Sequence, residues 1–206
     1  MTPDLRFANY QRLTVRQKKR WLEILLSFEF KNSYDVHDEQ GRASLAVKEQ
    51  GSGLLSFLKR MFLGPLRPFR VHVDDVESGL TVLALERRFR FVFHRLEVFS
   101  IDGKFLGAVQ KKWSWFRRIY HIESNEGRPL AELFGPIFKP WTFEIRLGER
   151  VVGVIQKRWS GLSKEFFTDA DNFGIELTDV TDSRLKLLAF AAVVLIDVVH
   201  FEKAKG

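Results

Sequence analysis

The sequence predicts a mainly β fold: a closed twelve-stranded antiparallel β-barrel around a central hydrophobic C-terminal α-helix. Three observations lead there: six recurring hairpin signals, an internal repeat among them, and a final segment apolar on every side. The chain has 206 residues, 45% of them hydrophobic, with 20 Phe and 5 Trp. That is enough apolar surface for one large core, and undivided barrels commonly reach about 200–250 residues. The charged residues, 29% of the chain, are interspersed, which argues against a disordered chain.

From the N-terminus, residues 1–26 read as a basic amphipathic segment outside the strands. Met1 to Arg20 is polar and basic and lacks the apolar core of a secretory signal. Arg16, Lys18, Lys19 and Arg20 then run into Trp21-Leu-Glu-Ile-Leu-Leu26. Arg16 to Arg20 fits either a juxtamembrane basic patch or a solvated charge run. Hairpin turns are expected at Asp38-Glu-Gln-Gly41, Asp75-Val-Glu-Ser-Gly79, Asp102-Gly103, Ser124-Asn-Glu-Gly127, Leu147-Gly148 and Asp169-Ala-Asp-Asn-Phe-Gly174. Their flanks are β-branched and aromatic, as in Phe69-Arg-Val-His-Val73 and Phe143-Glu-Ile-Arg-Leu147, and Gly-containing turns between such runs are the strongest short-range hairpin signal. Six hairpins make twelve strands. Within them Gly107-Ala-Val-Gln-Lys-Lys-Trp-Ser114 recurs as Gly153-Val-Ile-Gln-Lys-Arg-Trp-Ser160.

Residues 184–202 break this rhythm. Their length and alanines predict a helix, with Asp182 or Ser183 as its N-cap. Leu187, Leu188, Phe190, Val194, Leu195 and Ile196 surround it with apolar side chains, so it must be buried on all faces. Twelve strands enclose a lumen that needs filling, and this helix fills it. Its uncharged run, Leu187 to Ile196, is far short of the roughly 20 residues a bilayer span needs, which favours a buried helix over a membrane crossing.

Two stretches carry candidate surface chemistry. Leu54, Leu55, Phe57 and Leu58 with Lys59 and Arg60 fit a short amphipathic helix in a membrane interface, or a cap over an open barrel end using the same face. Lys111, Lys112, Trp113, Trp115, Arg117 and Arg118 mix aromatic rings with cations. Such a cluster suits lipid headgroups, with rings at headgroup depth and cations on phosphates. It also suits stacking of single-stranded bases, or a strand end with half-buried rings and solvated arginines. The formal net charge of +7 favours polyanionic partners in general. With no cysteine, disulfides, thiolate metal sites and palmitoylation are excluded. Gly51-Ser-Gly53 lacks the third glycine of a dinucleotide fingerprint, and no nucleophile elbow, Walker sequence or His-Glu-x-x-His occurs. The five histidines are scattered, so a non-enzymatic protein is expected.

Phe167-Thr-Asp-Ala-Asp-Asn-Phe-Gly-Ile175 after Lys157-Arg-Trp-Ser-Gly161, followed by Leu195-Ile-Asp197 and Phe201-Glu202, resembles the C-terminal signature of the phospholipid scramblases. Gly64-Pro-Leu-Arg-Pro-Phe69, Leu85-Glu-Arg87 and Glu23-Ile-Leu-Leu-Ser-Phe28 leading into Tyr34 resemble further motifs of that family, so the likeness runs from about Leu13 to the end. It implies the Tubby C-terminal-like fold shared with LURP-one-related proteins, calcium-responsive movement of phospholipid between leaflets, and a calcium site at the Asp169 loop. This chain differs from the animal members in lacking their Pro-rich tail and in carrying Arg-Arg-Phe-Arg-Phe-Val-Phe-His over 87–94, where they have acylated cysteines.

Set on an EF-hand-like ring, the implied calcium site offers Asp169 and Asp171 with backbone carbonyls of Phe173, Ile175 and Leu177. Phe173 holds a position that normally carries an oxygen side chain, and Val180 stands where the bidentate carboxylate belongs. The same residues also make a plain hairpin turn, so no cofactor is required and any calcium binding is expected to be weak. The expected role is a scramblase-like protein of the cytoplasm, peripheral on the inner face of a membrane, with anionic phospholipid as its partner. The alternatives are an interaction module of the same fold without lipid transport, or nucleic-acid binding through the basic aromatic patch.

Overall fold

Turn chemistry sets the frame of the computed structural model, which describes residues 3–17, 33–49, 68–89, 93–158 and 172–200. Twelve strands close into one antiparallel barrel in which each strand pairs with its neighbours in sequence and the first pairs with the last. They are β1 (Arg12–Gln17), β2 (Ser33–His37), β3 (Ala43–Glu49), β4 (Phe69–Asp75), β5 (Thr81–Arg87), β6 (Arg95–Ser100), β7 (Phe105–Lys112), β8 (Arg118–Ser124), β9 (Pro129–Gly135), β10 (Thr142–Leu147), β11 (Arg150–Arg158) and β12 (Asn172–Glu176). Two helices flank this run, α1 (Pro3–Ala8) and α2 (Ser183–His200).

Three hairpins share one turn. Asp38, Ser100 and Ser124 each bond across to the residue four positions on, and the glycine before that residue, Gly41, Gly103 or Gly127, donates back to the first residue's carbonyl. Those glycines have φ of 76°, 81° and 76°, the left-handed conformation that follows a type I turn in such loops. The opening side chain braces the bend: Asp38 Oδ1 accepts the amides of Gln40 and Arg42 at 3.0 and 2.8 Å, and Ser124 Oγ accepts those of Glu126 and Arg128. Leu147 and Arg150 close a tighter turn on Gly148.

Just past each turn the second strand carries one extra residue. The register skips Ser44, Val82, Leu106, Leu130 and Val152, five β-bulges at one end of the barrel, where they add twist and curl the sheet closed. This explains the repeat. Gly107 and Gly153 each follow a bulge, and a Cβ there would stand 2.5 Å from the backbone oxygen of Glu123 or Glu176; at Gly107 it would also meet Leu188 of the helix at 2.8 Å. The repeated glycines let neighbouring backbone and, at Gly107, the helix approach closely.

Helix α2 fills the lumen. Every residue from Leu187 to Ile196 is at most 2% exposed, as an all-round apolar helix requires. Asp182 is the N-cap, its Oδ1 accepting the amides of Arg184 and Leu185 at 2.8 and 3.1 Å. Two polar residues of the helix are bonded inside: Lys186 donates to the carbonyls of Ala8 and Tyr10, and the Tyr34 hydroxyl donates to Asp197 Oδ2 at 2.6 Å. Burial lowers the pKa of Lys186. Phe7 of α1 stacks at 5.5 Å on Phe190, so α1 closes the lumen where α2 begins.

Two expectations need correction. Arg12 to Gln17 is not part of an amphipathic segment outside the barrel but strand β1, which closes it: Leu13 and Val15 are fully buried and pair with Ile175 and Phe173 on one side, Val15 with Val36 on the other. The basic run hides a two-residue alternation of which only two members are apolar. The sixth hairpin turn likewise ends earlier than expected. Asn172, Phe173 and Gly174 are ladder residues of β12, paired on both edges; β-pairing to β1, remote in sequence, overrides the local turn preference of Asn and Gly. Residues 18–26 of the first segment, and His200 onward in side-chain detail, lie outside the described residues.

Candidate functional site

Because neighbouring strands alternate in direction, the connections fall at two ends. The tight turns and the start of α2 lie at one, here the turn end. The connections β5–β6, β7–β8 and β9–β10 lie at the other, the loop end, together with the strand ends that flank 18–32, 50–67 and 159–171. From Gln110 to Ile122 and from Leu133 to Phe143 the chain contains no carboxylate.

Alternation sorts the predicted patch at this end. Lys111 pairs with Tyr120 and Lys112 with Ile119, and directly opposed residues share a face. Tyr120 is fully buried, with its pKa raised by that burial. Lys111 therefore faces the lumen mouth and Lys112 the outside. Lys157, the repeat's counterpart of Lys111, pairs with buried Phe173 and lies 5.5 Å from its ring. Arg87 ends the inward face of β5, and its Nη2 lies 2.5 Å from Nδ1 of buried His94. Inward cations thus line the mouth.

Outward, the β7–β8 loop presents Trp113, Trp115 and Phe116, the last two 77% and 81% exposed. The two indoles meet edge to face at 4.8 Å. Arg117 is exposed, with its guanidinium 5.4 Å from the Phe134 ring. Arg118 behaves differently. It lies 4.7 Å over the buried Phe143 ring and donates to the carbonyls of Pro136, Lys139 and Pro140, and partial burial lowers its pKa. It ties the β9–β10 loop to β8 instead of offering its charge outward.

That second loop is the part the sequence reading missed. Ile137 is 53% exposed and Phe138 95%, with Lys139 and Trp141 beside them. Its signal was an apolar pair between two prolines, Pro136-Ile-Phe-Lys-Pro140, a motif that reads as an ordinary turn until Arg118 places it beside the tryptophans. Phe89 and Phe93, with exposed Arg88, continue the aromatic character around the same end.

Of the other candidates, Leu54, Leu55, Phe57, Leu58, Lys59 and Arg60 lie outside the described residues, as do Asp169 and Asp171. Phe173 and Ile175 sit mid-strand in β12, the Leu177 amide donates to Gln11 O at 2.7 Å, and Val180 is 2% exposed. An encircling calcium loop needs this stretch to bend around one ion; a strand paired on both edges does not fit that shape. Among the described residues no cluster of His, Asp and Glu is arranged to hold a metal, and no helix is long and apolar enough to cross a membrane.

Fold and surface together define a β-barrel closed over its own C-terminal helix, with one aromatic, cationic end. A sequence profile described as Scramblase matches residues 5–203, and the chain belongs to the phospholipid scramblase family. It is 30% identical to bovine phospholipid scramblase 2 over 219 residues, covering 99% of this chain and 73% of that one. Against human phospholipid scramblase 2 the identity is 30%, over 94% of this chain and 68% of the relative. A phospholipid scramblase family protein of Schizosaccharomyces pombe is 33% identical over 82% of this chain, which spans 46% of that relative. No solved structure matches.

Proposed function

We propose that this chain is a phospholipid scramblase-like protein that docks its loop end on anionic phospholipid at the inner face of a membrane and promotes movement of lipid between leaflets. One observation carries the reading: Trp115, Phe116 and Phe138 stand exposed on adjacent loops, with Arg117 and Lys139 among them, in segments free of carboxylates. Exposed rings partition to the headgroup region and neighbouring cations are attracted to anionic lipid. Family membership supplies the lipid as the expected partner.

The lumen is filled by α2, so lipid headgroups have no polar passage through the barrel; any acceleration of lipid movement arises at the protein–bilayer interface. Calcium dependence is expected to be weak, supported by Phe173 and Val180 in two ring positions. The test is co-sedimentation with phosphatidylserine and with phosphatidylcholine vesicles across a salt series, then a leaflet-flip assay on reconstituted vesicles with and without calcium. Binding that needs phosphatidylserine, weakens with salt and accompanies calcium-independent flipping is the expected result. Equal, salt-insensitive binding to both lipids would sink the electrostatic docking, and binding without flipping would leave an interaction module. Displacement by single-stranded DNA would point to nucleic acid.

A further inference from the structure

The β9–β10 loop is braced in a way that docking alone does not require. Pro136 and Pro140 bring no N–H to satisfy. The Pro136 carbonyl accepts the Lys139 amide at 3.2 Å and Arg118 Nη2 at 3.2 Å; the Lys139 carbonyl accepts the Thr142 amide at 3.1 Å and Arg118 Nη2 at 3.0 Å. The Pro140 carbonyl takes Arg118 Nη1 and the Trp141 carbonyl takes the Lys157 amide. Loop backbone entering a bilayer must satisfy its polar groups internally, because lipid tails offer no partners. Four carbonyls of this loop, those of Pro136, Lys139, Pro140 and Trp141, have such partners, and its tip carries the most exposed aromatic side chain among the described residues, Phe138. The tryptophan loop beside it has only the Arg117 amide to Ser114 Oγ as such a bond among the described residues.

We propose that Ile137 and Phe138 form a preorganised apolar wedge that enters the acyl boundary of an anionic phospholipid leaflet, held in shape by Arg118 as a positioning residue. This rests on the membrane docking proposed above. The wedge is shallow. Its tip amides remain at the depth of ester groups and water, while Phe138 reaches the first acyl carbons and Lys139 stays with the phosphates. Rigidity matters because a loop already ordered loses little entropy on insertion.

The chain has no cysteine, so Phe138→Cys and, at the turn end, Glu126→Cys each give one site for an environment-sensitive dye. On phosphatidylserine vesicles the label at 138 should shift to the blue, be quenched by lipid-borne nitroxide and lose access to iodide several-fold; the label at 126 should do none of these. Unlabelled Phe138→Ser should lower partitioning about tenfold at every salt concentration. Arg118→Lys keeps the charge but not the fork, so the salt dependence should persist while nitroxide quenching at 138 falls, in protein whose unfolding midpoint shows it folded. A label at 138 that stays open to iodide on vesicles that do sediment wild-type protein overturns the wedge and leaves the docking intact. Wild-type protein that fails to sediment removes both.

Discussion

At the turn end Asp38, Asp75 and Ser124 direct their oxygens to amides of their own turns, and nearly every bend carries a carboxylate. At the loop end Trp115, Phe116 and Phe138 stand in solvent, with Arg117 and Lys139 beside them and no acid in either loop. The same strands run between the two. One end consumes its polar groups to hold the fold; the other presents apolar and cationic groups that the fold does not need. Stability should therefore be concentrated where turns, bulges and α2 meet, and surface function where the loops are long, the usual division between scaffold and loops.

The sharpest test is at the bulges. Gly107→Ala places a methyl 2.5 Å from the Glu123 carbonyl and 2.8 Å from Leu188, and neither backbone nor packed helix can yield cheaply; about 3 kcal/mol of destabilisation is expected in urea unfolding. Gly127→Ala meets no atom within 4 Å and should cost only about 1 kcal/mol, for its φ of 76°. Equal losses from the two would deny that the repeat glycine serves close packing.

At the opposite end, Arg117→Ala combined with Lys139→Ala should cost about 2 kcal/mol, or about 30-fold, in partitioning onto phosphatidylserine vesicles. The same pair should change folding stability by less than about 0.5 kcal/mol. A large stability loss here would erase the contrast between the ends.

The smallest effect expected is electrostatic. Burial alone would raise the Asp75 carboxyl, but bonds from the Ser78 hydroxyl and amide, from Arg6 and from the Glu77 amide outweigh it and hold the pKa below its ordinary value. A depressed folded pKa gives stability that is complete above the unfolded value of about 4 and is lost as pH falls through the lower folded value. Asp75→Asn should thus cost about 1 kcal/mol at neutral pH, with the gap to wild type closing in acid. A gap that persists unchanged at pH 2 would assign the effect to shape instead of charge.

Some of this was legible beforehand because its causes are local. The turns at Gly41, Gly79, Gly103, Gly127 and Gly148 follow from residues that tolerate positive φ, and the placement of α2 follows from a helix with no polar face. The proposed docking surface was half legible: Trp113, Trp115 and Arg117 were surface candidates and stand exposed, while Phe138 was missed. Closure of the barrel decided the rest. That Arg12 to Gln17 is a strand closing the barrel depends on partners at 34–37 and 172–176, which bury Leu13 and Val15. That Lys111 turns inward and Lys112 outward depends on register, which a two-residue period inverts with a single step. That Arg118 braces a neighbouring loop depends on β8 and β9 lying side by side. Sequence alone determined five of the turns and the helix that must be hidden; only the tertiary structure decided which residues share a surface, because that follows from pairings between segments far apart in the chain.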